Sequence, residues 1–220
     1  MAFVLTYTSL VTTIEDYVKR TDATFVSDIP LFIMLGQRRV ARDLKILGMR
    51  VVIDGVLIVG NPLLRKPTRW FNTSTFNIGT NIGTAIGFDT IVNLPLRSYE
   101  FCNTYWPTPT DTDRPKYVSD FDFNSWWISP TPDQAYPCRI AYYEVPQLID
   151  NTVSTNFITE SCPDILIYGC LLETASYLKD DDRVPVWQQY YKTAQDALTK
   201  EDLQRIYDNF SKRTLLDSRV

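Results

Sequence analysis

The chain has 220 residues, of which 22 are Lys or Arg and 26 Asp or Glu, giving a formal net charge of -4, and it contains four cysteines and no histidine. Without imidazole or a CxxC pair, Ser-His-Asp triads, Cys-His pairs and the usual Cys/His zinc sites are excluded, and the mildly acidic balance argues against tight nucleic-acid binding. The longest apolar run, residues 165–172, is far short of the roughly 20 residues that cross a bilayer, so no membrane association is expected. The opening MAFVLTYTSL lacks the basic start, apolar core and cleavage site of a secretory leader, and a cytoplasmic origin is expected.

Thr8 or Ser9 is read as the cap of a first helix in which Leu10, Ile14, Tyr17 and Val18 share a face, running to about Arg20. After a break over residues 22–27, Asp28 caps a second helix with Pro30 in its first turn. Ile29, Ile33, Gly36, Val40, Leu44 and Leu47 form its stripe and Gly48 stops it. Gln37, Arg38, Arg42 and Lys45 fall on the opposite face, which is either a solvated surface or a rim that meets an acidic neighbour.

From residue 49 the pattern turns to β. Val51, Val52 and Ile53 on one side and residues 56–59 on the other flank Asp54-Gly55, the pair that best signals a two-residue hairpin. Strands are predicted over residues 71–78 and 89–94. Gly79, Gly83 and Gly87 match neither GxGxxG nor a GK[ST] loop and are read as a plain loop. Two strands over 115–122 and 125–129 surround a turn at Phe123-Asn124. Another turn over 131–134 precedes a strand over 138–144, and 145–159 is an irregular return.

Ser161 is expected to cap a third helix, with Pro163 in its opening turn and Asp164 at the positive end of its dipole. Residues 165–172 leave hardly any polar face, which makes this helix the buried centre. A charged break over 179–183 leads to a long last helix, where Val184, Trp187, Tyr191, Ala194 and Leu198 recur at spacings of three and four. That helix either extends through Leu203, Ile206, Tyr207 and Phe210 or restarts at Thr199. Short helices at both ends of a chain must find one another, because alone they are marginal in water. The fold class is therefore α+β: a four-helix bundle made from the N- and C-terminal segments, with a β-rich insertion between helices two and three. Residues 1–48 with 151–212 form the discontinuous bundle, 49–150 the insertion domain and 213–220 a C-terminal tail.

Few residues suggest chemistry. Asp180, Asp181 and Asp182 are consecutive, unlike the alternate ligands of a calcium loop, and read as an acidic turn. Asp111, Asp113, Asp120 and Asp122 have the spacing of paired carboxylates but no recognisable acid/base partner. The thiols of Cys102, Cys138, Cys162 and Cys170 read as structural. No catalytic, cofactor or metal site is expected. Trp70, Trp106, Trp126 and Trp127 lie in the β region and Trp187 on a helix stripe. Neighbours in a strand face opposite ways, so only one of Trp126 and Trp127 enters a given core, and the other faces solvent or a partner. The pair is the candidate β-region interface, with a carbohydrate- or ligand-binding module as an alternative reading. The tail SKRTLLDSRV sets Lys212, Arg213 and Arg219 around Leu215 and Leu216, either as a frayed end or as a segment that orders on a partner.

Three strings carry a family likeness. LTYTSLVTTIEDYVKRTDATFVSDIPLFIMLGQRRVARDL, then RPKYVSDFDFNSWWISPTPDQAYPCRIAYYEVPQLIDNT, then PDILIYGCLLETASYLKDDDRVPVWQQYYKTAQDAL resemble the adaptor proteins of tailed bacteriophages, the head-to-tail connectors. The resemblance implies a non-enzymatic virion protein at the head-tail junction. It implies a homo-oligomeric ring, dodecameric in the family, beneath the portal protein and above the tail tube or nozzle. Double-stranded DNA would pass through its lumen without specific binding. By the same resemblance Arg213, Leu215, Leu216, Arg219 and Val220 would reach the portal, and tips of the β insertion would meet the tail.

Overall fold

A computed structural model of the protein describes residues 4–79, 91–178 and 182–217. Two helices open the chain, α1 (Tyr7–Val18) and α2 (Ala23–Asp43), followed by a 3-10 turn over Leu47–Met49. The middle holds β1 (Arg50–Val56), β2 (Leu63–Arg65), β3 (Trp70–Gly79), β4 (Ile91–Asn93), a short helix α3 (Tyr99–Tyr105), β5 (Thr112–Asp113), β6 (Tyr117–Asp120), β7 (Ser125–Ser129), β8 (Thr131–Pro132) and β9 (Pro137–Glu144). Helices α4 (Phe157–Ser161), α5 (Pro163–Leu178) and α6 (Val184–Asp217) follow. The expected α+β class holds, with α1, α2, α5 and α6 packed together and the β-rich region inserted between them in sequence. By contacts the chain divides into two compact units, Met1–Met49 with Pro146–Val220 and Arg50–Val145.

In the helical unit α1 starts earlier than Thr8. Thr6 is the N-cap: the Ser9 N–H donates to its Oγ1 at 3.2 Å while its own N–H donates to Ser9 Oγ at 2.8 Å. This reciprocal box satisfies two amides that would otherwise lack partners. Tyr7, Leu10, Ile14 and Val18 are buried, whereas Tyr17 lies off the stripe and is exposed. Helix α2 also starts earlier, since Asp22 rather than Asp28 accepts the capping hydrogen bond, from the Phe25 N–H. Burial of Phe25 rewards the extra turn, and Pro30 sits inside the helix instead of at its start.

Helix α5 is the centre, packed on α1, α2, α4 and α6, with Ile165, Leu166, Cys170 and Leu171 fully buried. Pro163 opens it and Asp164 lies in its first turn, as expected, but Ser161 is the last residue of α4. Helix α4 begins inside the predicted irregular return and runs two residues past it, with Asn156 and Thr159 forming a second capping box. A close approach of α2 to α5 is set by Gly36: a Cβ there would stand 2.8 Å from the Cα and the N of Cys170. Arg39 meets Glu173 at 2.6 Å and the Tyr191 hydroxyl donates to Asp43 at 2.7 Å, tying α2 to α5 and to α6.

Gln37 departs from the polar face assigned to it. It is buried, its Nε2 donates to the Ile149 carbonyl at 3.2 Å, and its Oε1 accepts from the Ile149 N–H at 2.7 Å. A side-chain amide carries both a donor and an acceptor, so it completes the backbone pairing of a buried return segment that no helix or sheet supplies. Helix α6 is unbroken from Val184 to Asp217, with no restart at Thr199, and its helical backbone takes in residues 213–217 of the expected tail. Trp187, Tyr191 and Ala194 bury its first half, and Asp202 accepts from the Leu47 N–H at 3.1 Å. Leu203 and Tyr207 beyond it are exposed.

In the inserted unit one antiparallel sheet has the order β1-β9-β3-β4, a second has β2-β7-β6, and β5 and β8 form a short parallel pair. The core between them includes Leu57, Phe76, Ile78, Val118, Trp126 and Ile140. Asp54-Gly55 does not turn. Strand β1 runs straight through it, with Asp54 opposite Arg139 and Gly55 opposite Cys138. Arg139 donates to both Asp54 oxygens, at 2.6 and 2.9 Å, so a long-range partner overrides the local turn preference. The chain turns instead at Gly60, whose φ of 69° suits a residue without a Cβ. Strands β6, β7 and β9 lie where predicted. Helix α3, capped by Ser98, is an addition to the predicted elements. Gly79 ends β3, while Gly83, Gly87 and residues 89 and 90 lie outside the described residues.

Candidate docking surfaces

Of the four spaced aspartates, Asp113, Asp120 and Asp122 are engaged structurally, and Asp111 is exposed. Asp113 accepts from Lys116 at 2.9 Å, which holds its carboxyl below the usual range. Asp120 pairs with Lys66, and Asp122 closes a turn by accepting from the Asn124 N–H. Asp180 and Asp181 lie outside the described residues, and Asp182 is exposed. Among the described residues no three of His, Cys, Asp and Glu gather as metal ligands. All four cysteines are buried free thiols, and burial pushes Cys138 up to about 11 and Cys162 up to about 12. Thiols so far from ionising are poor nucleophiles near neutral pH.

The tryptophan pair separates as alternation requires, and the structure corrects the candidate interface. Trp126 is fully buried, donates to Thr73 Oγ1 at 2.8 Å and stands edge-on to Phe76, so it is core and not a surface contact. Trp127 is half-buried on the other side of β7, donates to Ser129 Oγ at 2.9 Å and packs against both Tyr99 and Phe121, which also touch each other. An open cleft beside it is lined by Arg97, Tyr99, Phe101, Asp120 and Phe121.

The turn between β6 and β7 is pinned from beneath by Lys66, a residue the sequence reading passed over. Its side chain is 1% exposed. Its Nζ lies 3.0 Å from Asp120 Oδ1, donates to the Asp122 carbonyl at 2.8 Å and sits 3.6 Å from the centre of the Trp70 ring. The Lys66 N–H adds a bond to the Asn124 carbonyl at 2.7 Å. A buried ammonium persists only when its charge and donors are met, and here a carboxylate, a carbonyl and an aromatic face meet them. The pinned turn holds Phe121 and Phe123 outward, 40% and 76% exposed. In the sequence Lys66 stands between Arg65 and Pro67, just past the end of β2, where nothing signals burial, and its partners are too far along the chain to be read from spacing.

Two further surfaces involve residues singled out in the sequence. Arg38, Arg42 and Lys45 are exposed on and just beyond α2. Arg213, Leu215 and Leu216 belong to the helical backbone of α6, while Arg219 and Val220 lie outside the described residues.

Buried thiols, tied-up carboxylates, and aromatic and basic groups held at the surface describe a structural docking protein. Its kind follows from comparison. The chain matches the model of the SU10 adaptor protein family over residues 5–213 and belongs to that family. Members are structural, non-catalytic components of phage connectors, so this protein is a head-to-tail adaptor of a tailed-phage virion, with a role that implies contacts to portal and tail components. No curated protein matches the chain.

Proposed function

We propose that the protein assembles as a homo-oligomeric ring, dodecameric by resemblance to its family, between the portal protein and the tail tube or nozzle. Assembly would take place in the host cytoplasm. In this reading residues 1–48 with 151–212 form the ring body, 49–150 the tail-facing insertion, and 213–220 the portal-facing end, with Arg213, Leu215, Leu216, Arg219 and Val220 in contact with the portal. The observation that carries it is the length of α6. Its 34 residues span about 51 Å. Among the described side chains its buried positions end at Ala194, Asp202 still reaches the Leu47 N–H, and Leu203 and Tyr207 are exposed, so the helix backbone runs on beyond its buried stripe. A helix that outruns its own core depends on another surface to cover its apolar positions. The net charge of -4 suits a conduit, because a lumen rich in phosphate-neutralising groups would hold the DNA in place.

The test is binding of the full chain to immobilised portal. Leu215→Ala/Leu216→Ala should weaken it about tenfold or more, the range of a buried apolar anchor, with an unchanged circular dichroism spectrum. Unaltered affinity would remove the docking end from this reading. Absence of rings in negative-stain images of the protein mixed with portal would remove the ring.

A further inference from the structure

We propose that the turn between β6 and β7 is a knob that seats on the α2 ridge of a neighbouring copy of this chain, forming the head-to-tail contact of the ring. The proposal rests on the ring reading and names the two surfaces that would make it.

The knob is Phe123, at 76% the most exposed large hydrophobic among the described residues. It is held on a turn with four ties: the ion pair of Lys66 with Asp120, the Lys66 bonds to the Asp122 and Asn124 carbonyls, and the Asn124 N–H on Asp122 Oδ1. A turn fixed this way loses little freedom on binding, so most of the contact free energy of the ring is retained. Exposed and pre-set, an aromatic of this kind has the properties of an interface anchor. Its acidic flank is Asp122, whose carboxylate accepts a backbone N–H, while the charge of Asp120 is met by Lys66.

The ridge is the solvent side of α2. Leu31 is 50% exposed, Met34 and Leu35 are half-buried, and Arg38 and Arg42 are exposed. Positions 31, 35, 38 and 42 follow one another at three and four residues and therefore share one helix face. The Arg42 Nε donates to the Arg38 carbonyl at 3.1 Å, which lays that guanidinium along the helix, while Arg39 is turned inward to Glu173. The ridge is thus apolar at one end and basic at the other, the complement of a phenylalanine beside the aspartate Asp122. A closed ring needs two different patches of one molecule that fit each other, and this pair meets that condition in apolar character and in charge.

Sedimentation velocity of the full chain over a range of concentrations, alone and with portal, tests the contact. Phe123→Ala should weaken self-association about tenfold or more. Asp122→Lys, and separately Arg38→Glu/Arg42→Glu, should each weaken it several-fold, and raising the salt from about 0.05 to 0.5 M should weaken the unaltered protein in the same sense. Asp122→Lys combined with Arg38→Glu/Arg42→Glu should regain most of the loss, a result no folding defect can produce. Rings whose association is indifferent to these changes, or a combined variant worse than either parent, would overturn the contact and leave the ring standing. Loss of binding to a tail component with self-association intact would overturn it in favour of a tail-facing knob. A protein that stays monomeric alone and with portal would overturn the ring reading and this contact together.

Discussion

Replacing Gly36 by alanine sets two opposed effects against each other at the α2–α5 crossing. Glycine inside a helix costs roughly 0.5–1 kcal/mol relative to alanine, so on propensity alone Gly36→Ala stabilises. The new Cβ would lie 2.7 Å from the Cys170 Sγ and 2.8 Å from the Cα and N of the same residue. Carbon contacts are most favourable at about 3.5–4.0 Å, so the helices would have to part by most of an ångström. Two of the three atoms are backbone of α5 and cannot rotate aside. Parting the helices loosens the packing of the central helix along α2, an overpacking cost of about 1–3 kcal/mol. The net expectation is destabilisation by about 1–2 kcal/mol, read as a lower urea midpoint with an unchanged slope. Gly169→Ala is the control. Its Cβ would meet Val40 Cγ2 at 3.2 Å and Tyr191 Cε2 at 3.3 Å, side-chain atoms that can give way, so its effect should be within about 0.5 kcal/mol of zero. A Gly36→Ala protein as stable as the parent, or a Gly169→Ala protein less stable than Gly36→Ala, would refute the reasoning.

Gln37→Leu should cost about 2–6 kcal/mol, because it strands a buried N–H and a buried C=O of Ile149 at about 1–3 kcal/mol each; urea unfolding reads it, and a change below about 0.5 kcal/mol would contradict the clamp. Alkaline pH should destabilise the fold. Thiols ionise near 9.0 when unperturbed, whereas the folded chain holds Cys138 to about 11 and Cys162 to about 12. Because the folded values are raised, stability from these groups is constant below pH 9.0 and falls as pH rises toward 11 and 12. Urea midpoints should therefore hold from neutrality to that point and drop above it, with a shallower drop in Cys138→Ala/Cys162→Ala.

What the sequence makes legible is what neighbours in the chain decide. The apolar run of α5 needs no distant partner to declare itself buried, and alternation at Trp126-Trp127 requires opposite faces whatever lies across the sheet. Which ring turns inward is another matter, since it depends on Thr73 and Phe76 in β3. Asp54-Gly55 misleads for the same reason. Its local chemistry favours a turn, and the group that holds it in a strand, Arg139, lies 85 residues away. Gln37 looks solvated because its partner is Ile149, 112 residues on. Helix starts fail more narrowly. Asp22 and Asp28 are equally good caps by type, and burial of Phe25 between them is what extends α2 to the earlier one.

Two buried polar side chains, Gln37 and Lys66, share a role. Gln37 holds a return segment in the helical unit, and Lys66 holds a turn in the inserted unit. Neither segment has a regular hydrogen-bond ladder at that point, so an apolar side chain would leave the amide and carbonyl of Ile149 unpaired in the one place and the carbonyl of Asp122 in the other. Burial of an amide and of an ammonium is tolerated because each meets several partners at once. The consequence differs between the two. The Gln37 clamp faces inward and acts on stability alone, whereas the Lys66 clamp has Phe123 on its outer side. Rigidity bought at Lys66 is therefore rigidity of an exposed aromatic, and a connector that must dock in register gains from fixing such a residue before its partner arrives.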